Sequence, residues 1–251
     1  TKLFLAALCA VLLALAFLAG PAHAGTLTVC EVGCDHVTIQ AAVDAAVAGD
    51  VIQVQVEGEH TEANITIDKN LTVAGLGADV TFVQAAATAC AVEGRVFSIS
   101  AGSVVLEDMT IRNGCVPDTF TGGHAGQGGG IWSAATLELR RTYVMSNTVK
   151  SDVAGTVGGA GIYSTGSLVI RSSTLAGNEA HSATGIAAGG GLYNNGAARV
   201  GNSTVSGNSA TSGGGGIHNV TELALFNVTV ADNETSNAIG DGLNNAGQLS
   251  I

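Results

Sequence analysis

Apolar and polar positions recur along this chain in a fixed order. Glycine-rich turns run into Ile131, Ile162, Leu192, Ile217 and Leu243, and six positions later strands begin at Leu137, Leu168, Ala198, Leu223 and Leu249. Aligning VVLEDMTIRNG (104–114), LELRRTYVMSN (137–147), LVIRSSTLAGN (168–178), ARVGNSTVSGN (198–208) and LALFNVTVADN (223–233) leaves the first, third and eighth columns apolar in every row. The last column reads Asn147, Asn178, Asn208 and Asn233, with Asn113 offset by one in the first row. Alternation within each row is the period-2 signature of a strand with one buried face. Self-similarity at 25 to 31 residues predicts a solenoid in which each repeat is one rung.

A single rung cannot stand alone. It offers about four core side chains, each contributing roughly 1.5–3 kcal/mol on burial. Ordering its 25 or more residues costs about 1–2 kcal/mol per residue in backbone entropy. Stacking resolves the deficit, because strands then pair above and below through long right-handed crossovers. The predicted fold is all-β, a right-handed parallel β-helix of about eight rungs. All length variation falls between the Asn column and the next glycine cluster, so one loop per rung should vary along one edge.

Ahead of the repeats, residues 26–30 read as a strand. Thr38 then caps a helix from Ile39 to about Ala48, with Ile39, Val43 and Val47 on one apolar face. Such a helix would cap the first rung and cover its open edge. Short β-branched runs at 51–56, 65–67, 71–73 and 80–83 continue the strand pattern. The expected organisation is residues 1–24 as a signal peptide, 25–95 as cap and first coils, and 96–251 as β-helix repeats continuing beyond Ile251.

The leader reading rests on Lys2, the apolar stretch Leu3–Leu18 and the small-residue site Ala22-His23-Ala24. It predicts cleavage near Ala24 and a secreted or cell-surface, outer-membrane-associated protein. The remaining part would carry a charge of about −12 (8 basic against 20 acidic residues, Lys2 having left). That balance argues against nucleic acid as a partner. No membrane insertion is expected after the leader, and the expected partners are surface glycans or host and environmental macromolecules. Cys30, Cys34, Cys90 and Cys115 then remain, an even count that suits disulfides in an exported chain. Cys30–Cys34 with Cys90–Cys115 is the preferred pairing; two other connectivities stay open, and a zinc site is the competing reading.

Two stretches carry a family resemblance. VTIQAAVDAAVAGDVIQV followed by NITIDKNLTVAGLG resembles the opening of pectin-lyase-like right-handed β-helices, including pectin methylesterases. GGGIW, GGAGIY, GGGLY and GGGGIH, each followed by a hydrophobic-x-x-Asn, resemble repeats of chlamydial polymorphic outer membrane proteins, whose paired motifs are GGA[IL] and FxxN. Val144, Leu175, Val205 and Val230 stand where Phe would be. The resemblance implies a secreted or surface-exposed, adhesin-like or structural passenger without catalysis in this segment. The alternative it leaves open is a carbohydrate-active enzyme, pectin lyase- or esterase-like, or a glycan-binding module.

Candidate chemistry lies in three columns. The Asn file (Asn147, Asn178, Asn208, Asn233) is expected to be a structural amide ladder rather than a cation site. Trp132, Tyr163, Tyr193 and His218 follow the inward apolar residue and should form an outward ring file, either a glycan platform or a stacking device. Opposite charges pair Glu107 with Arg140, Asp108 with Arg141 and Arg199 with Glu222, while Arg140 beside Arg171 could take a uronate or sulfate. Glu138 and Glu222 are read as one column three rungs apart, roughly 14 Å and too far to act as a glycosidase pair. No catalytic residue, metal ligand or cofactor is assigned. His36, His60, His124 and His181 read as loop residues, and the six Asn-x-Ser/Thr sequons as products of composition.

Overall fold

The computed structural model describes residues 24–251 apart from 153, 154 and 238; the proposed leader, all but Ala24, lies outside the described residues. The chain winds into a right-handed parallel β-helix. One sheet stacks seven three-residue strands in sequence order: Ile65–Ile67, Phe97–Ile99, Ile131–Ser133, Ile162–Ser164, Leu192–Asn194, Ile217–Asn219 and Leu243–Asn245. Where about eight rungs are expected, this sheet stacks seven strands and the longest stack, from Thr26–Val29 to Gln248–Ser250, has nine. A second sheet of fourteen strands supplies two further sides, and a five-stranded sheet from Cys115–Pro117 to Glu234–Thr235 lines a fourth over the later coils.

The registers are those of like upon like. Ile131 pairs with Ile162, Ile162 with Leu192, Leu192 with Ile217 and Ile217 with Leu243. Parallel files of Leu137, Leu168 and Ala198, of Leu139, Ile170 and Val200, and of Val144, Leu175 and Val205 complete a thin continuous core. Apart from Leu243, which is partly buried, these residues are fully or almost fully buried. Each rung thus closes the core of its neighbour, as the entropy argument requires.

Two turns make the rung repeat. The chain bends between adjacent strands through one left-handed residue: Asp108, Arg141, Ser172, Asn202 and Asn227 have φ of 49–56°. Buried hydroxyls follow at this corner, with the Thr142 amide donating to Ser173 Oγ and the Ser173 amide to Ser203 Oγ, at 3.1 and 3.2 Å. The second turn explains the glycine clusters. Gly128, Gly159, Gly189, Gly214 and Gly240 have φ of 59–66°. A Cβ at each would lie 2.2–2.6 Å from the carbonyl oxygen three residues on, such as that of Ile162 for Gly159. Only glycine satisfies both conditions.

Helix α1 (Ile39–Ala45) is shorter than the periodicity predicts, and Val47 is exposed rather than part of its buried face. Asp50 stops it by accepting the amides of Val47 and Gly25, at 2.8 and 2.7 Å. Lys69 Nζ donates to the carbonyls of Val43 and Ala46 at its C-terminal end, and Thr38 Oγ1 accepts the Ala41 amide at its start. The variable segments also differ from the expectation of plain loops. They carry the strands Thr148–Ser151, Thr156–Gly158, Glu179–Ser182 and Ile186–Ala188. Pro117 ends an edge strand, the position in a sheet where a missing amide costs least. Disulfides join Cys30 to Cys34 and Cys90 to Cys115, with Cα atoms 5.5 and 4.9 Å apart. Among the described residues no helix is long and apolar enough to cross a membrane.

Candidate functional site

The Asn file lies inside the coil. Asn147 Nδ2 donates to Asn178 Oδ1 at 3.0 Å, Asn178 to Asn208 at 2.8 Å and Asn208 to Asn233 at 2.9 Å. Each Nδ2 also donates to a carbonyl one rung below: Ile111, Val144, Leu175 and Val205. The Oδ1 atoms of Asn178, Asn208 and Asn233 each also accept a backbone amide. Donors and acceptors are thereby matched within the file. Asn113 stands outside it, donating instead to the carbonyls of Ala86 and Ala87, and Asn147 accepts the Gly114 amide.

A second amide file went unread in the sequence. Asn194 donates to Asn219 at 2.7 Å and Asn219 to Asn245 at 2.6 Å, continuing a buried column that begins at Ser133 and Ser164. Its signal was present: the position two after each turn's apolar residue runs Ser, Ser, Asn, Asn, Asn.

The ring file faces outward, as alternation requires. Tyr163 and Tyr193 stack with centroids 4.7 Å apart, and Tyr193 meets His218 at 4.8 Å. Tyr193 is thus covered on both faces and Tyr163 on one. Burial raises the pKa of both tyrosines and lowers that of His218. Trp132 is only 7 % exposed, because His124 lies flat on it at 3.5 Å. That contact was not foreseen for a loop histidine. Burial, and then the charge of Arg95, lower the pKa of His124.

Arg95 explains why this loop is held. It is 1 % exposed and donates to the carbonyls of Gly128 (2.9 Å), Gln127 (2.7 Å) and His124 (3.0 Å), with Phe120 stacked over the guanidinium at 5.5 Å. Burial pushes its pKa down to about 10. His60 and His181 also leave the loops assigned to them, lying in the strands Gly58–Thr61 and Glu179–Ser182. His60 Nε2 meets Glu62 at 2.8 Å, and Glu62 accepts the amides of Ile39 and Gln40 that open α1.

Charged residues form a band on the outer face. Glu107 lies opposite Arg140, and Arg140 opposite Arg171. Arg141 grips Asp108 through two 2.7 Å bonds, and Glu138 is shared by Arg140 (2.8 Å) and Arg171 (3.1 Å). The hydrogen bond from Arg140 is the first cause holding the Glu138 carboxyl below its ordinary pKa. Two expected alignments are corrected. Arg199 lies opposite Ala224, and Glu222 opposite Ala197, so their 3.8 Å contact is diagonal. The same register puts Glu138 in the file of Val169 and Arg199, so Glu138 and Glu222 do not share a column. The row alignment itself carries this register: Glu138 falls in its second column with Val169, Arg199 and Ala224, and Glu222 lies one residue before its first.

No family model and no curated protein matches this chain. Among solved structures it is similar to pectin methylesterase PemA from Erwinia chrysanthemi, at 14% identity and a TM-score of 0.46, covering 90% of this chain and 81% of that one.

Proposed function

We propose that this chain is a secreted or surface-displayed β-helix rod, adhesin-like or structural, that meets glycans or other macromolecules through its outer face without catalysis in this segment. The carrying observation is the state of the outward carboxylates. A glycosidic acid catalyst needs a carboxyl with a raised pKa facing a second carboxylate. Here Glu138 is clamped by Arg140 and Arg171 and shifted down, and Glu107 and Asp108 are likewise paired with arginines. These carboxylates spend their acceptors on neighbouring guanidiniums. Inside the coil, the members of each amide file are hydrogen-bonded to one another. What remains for a partner is the outer surface itself.

The purified protein should bind immobilised glycans or intact cell surfaces without altering them. Release of methanol or of free or unsaturated uronic acids from pectin would refute the non-catalytic reading and favour the carbohydrate-active alternative. The ring file is assigned to stability, because stacked faces leave mainly ring edges to a sugar. Tyr163→Ala and Tyr193→Ala should lower the unfolding midpoint and leave glycan binding unchanged.

A further inference from the structure

One file on the outer face breaks its own pattern. Glu107, Arg140 and Arg171 are followed in register by Gly201 and then Phe226. The missing side chain opens a cleft of about 370 Å³ lined by Val169, Arg171, Arg199, Asn202, Ala224 and Phe226. That volume lies within the roughly 300–1,000 Å³ range of small-ligand sites. Arg171 and Phe226 stand two strand spacings apart, about 9–10 Å, with the gap at Gly201 between them.

The walls differ in chemistry. Phe226 is 75 % exposed, an unusual state for a large apolar ring on a charged band. Arg171 engages Glu138 through Nε alone, and Arg199 reaches Glu222 only at 3.8 Å, beyond hydrogen-bond range. Both side chains are 66 % exposed. Among the described residues, then, two neighbouring guanidiniums keep most of their N–H donors unspent beside a bare aromatic face. In a chain of net charge −11 this placement is selective for negative charge.

We infer that this cleft is a binding site for an anionic sugar unit, its carboxylate or sulfate held by Arg171 and Arg199 and its apolar ring face resting on Phe226. Planar guanidiniums match either oxyanion in a bidentate fashion. Gly201 admits the ring. The inference rests on the proposed binding role and gives that role a location and a ligand class.

Gly201 also supplies the decisive test. Its φ is not in the left-handed region, and a Cβ there would meet only the Phe226 carbonyl oxygen, at 3.8 Å. Gly201→Leu therefore fills the cleft without strain and removes no charge. Binding of a uronic-acid oligomer, a sulfated glycan and a neutral glycan of matched length would be measured by calorimetry at low salt. Wild type is expected to bind one or both anionic probes and not the neutral one, which also distinguishes carboxylate from sulfate. Gly201→Leu and the pair Arg171→Gln with Arg199→Gln should each weaken binding by at least about tenfold, while Arg141→Gln, outside the cleft, should not. Unchanged unfolding midpoints verify folding. Equal binding of the neutral probe, or full binding by Gly201→Leu, overturns the site. If Gly201→Leu still binds glycans like wild type, the cleft is wrong and the adhesive reading stands. If wild type binds no glycan and no cell surface, both fall.

Discussion

Replacing Asn178 by alanine tests whether the buried amide file holds the stack together. Asn178 is fully buried and takes part in five side-chain hydrogen-bond contacts with its neighbours, of which four use its own amide group. Truncation strands two groups, the Asn147 backbone N–H and one Asn147 Nδ2 hydrogen, while the Val144 carbonyl keeps its place in the ladder between Tyr143–Met145 and Thr174–Ala176. Asn208 Oδ1 keeps the Asn178 backbone amide and is the least affected. A stranded buried polar group costs about 1–3 kcal/mol, so the two together predict roughly 2–4 kcal/mol after partial relaxation. For a chain of this size that corresponds to a fall in midpoint of about 2–4 °C per kcal/mol, or roughly 4–16 °C. Thermal and urea unfolding followed by circular dichroism would read it, with the exposed Asn195→Ala, which is not at a left-handed position, as the control. Amide exchange should show the loss spreading to both adjacent rungs, since each rung is stabilised by its neighbours. A shift no larger than that of Asn195→Ala would show that the file is decorative.

Gly159→Ala forces a Cβ against the Ile162 carbonyl at positive φ. It should cost more than Gly177→Ala, which has the same φ but open space and a penalty of about 1–2 kcal/mol; equal midpoints would refute the steric account. Reducing Cys90–Cys115, which spans 25 residues, should destabilise by about 3 kcal/mol, read as a lowered denaturant midpoint in reductant. Glu62 predicts a pH dependence. Burial raises its pKa, but hydrogen bonds from His60 and from the Gln40 and Ile39 amides outweigh this and leave it below the ordinary value. A depressed carboxyl stabilises fully above its unfolded pKa, and the contribution disappears as pH falls through the folded pKa. The protein should thus lose stability on acidification below about pH 4.5, and Glu62→Gln should flatten that limb of the stability–pH curve. Trp132 is the sole tryptophan, so Arg95→Met, by freeing the loop that places His124 on it, should red-shift its emission; an unchanged spectrum would show that the loop is held by other contacts.

What the sequence made legible was whatever repeats. The file Ile131, Ile162, Leu192, Ile217 appears as a column because each position faces the same environment five times over, so the same side chain is favoured each time. The disulfide pairing followed from one local pair and one pair flanking a coil. Contacts made once left no such trace. Arg95 has no counterpart on other rungs, and its acceptors are backbone carbonyls, which no residue type announces. The stacking of His124 on Trp132 depends on a loop path that Arg95 fixes. The Asn194 file was missed for a different reason: it changes from Ser to Asn midway, and a switch between two small polar residues looks like noise until register is known. The helix overran its end because Val47 continues the apolar spacing, while Asp50 and Lys69 stop the helix from outside it.

The same reasoning says where on a stacked rod function can reside. An inward position answers to the residues above and below it, so replacing one member of a file disturbs three rungs. An outward position answers chiefly to solvent, and pattern there is held only by weak pairs of about 0–1 kcal/mol. Departures from pattern therefore cost little outside and much inside. The file Glu107, Arg140, Arg171, Gly201, Phe226 departs twice in two rungs, first by removing a side chain and then by exposing an aromatic ring. Neither change improves stacking: glycine weakens a strand, and exposed phenylalanine offers apolar surface to water. A ligand that buries Phe226 and occupies the gap left by Gly201 would offset both costs at once. Measured stability should then separate the two explanations. If the pair is a binding device, Gly201→Thr with Phe226→Thr should raise the unfolding midpoint while abolishing anionic-glycan binding; a lowered midpoint would mean that the pair serves the fold.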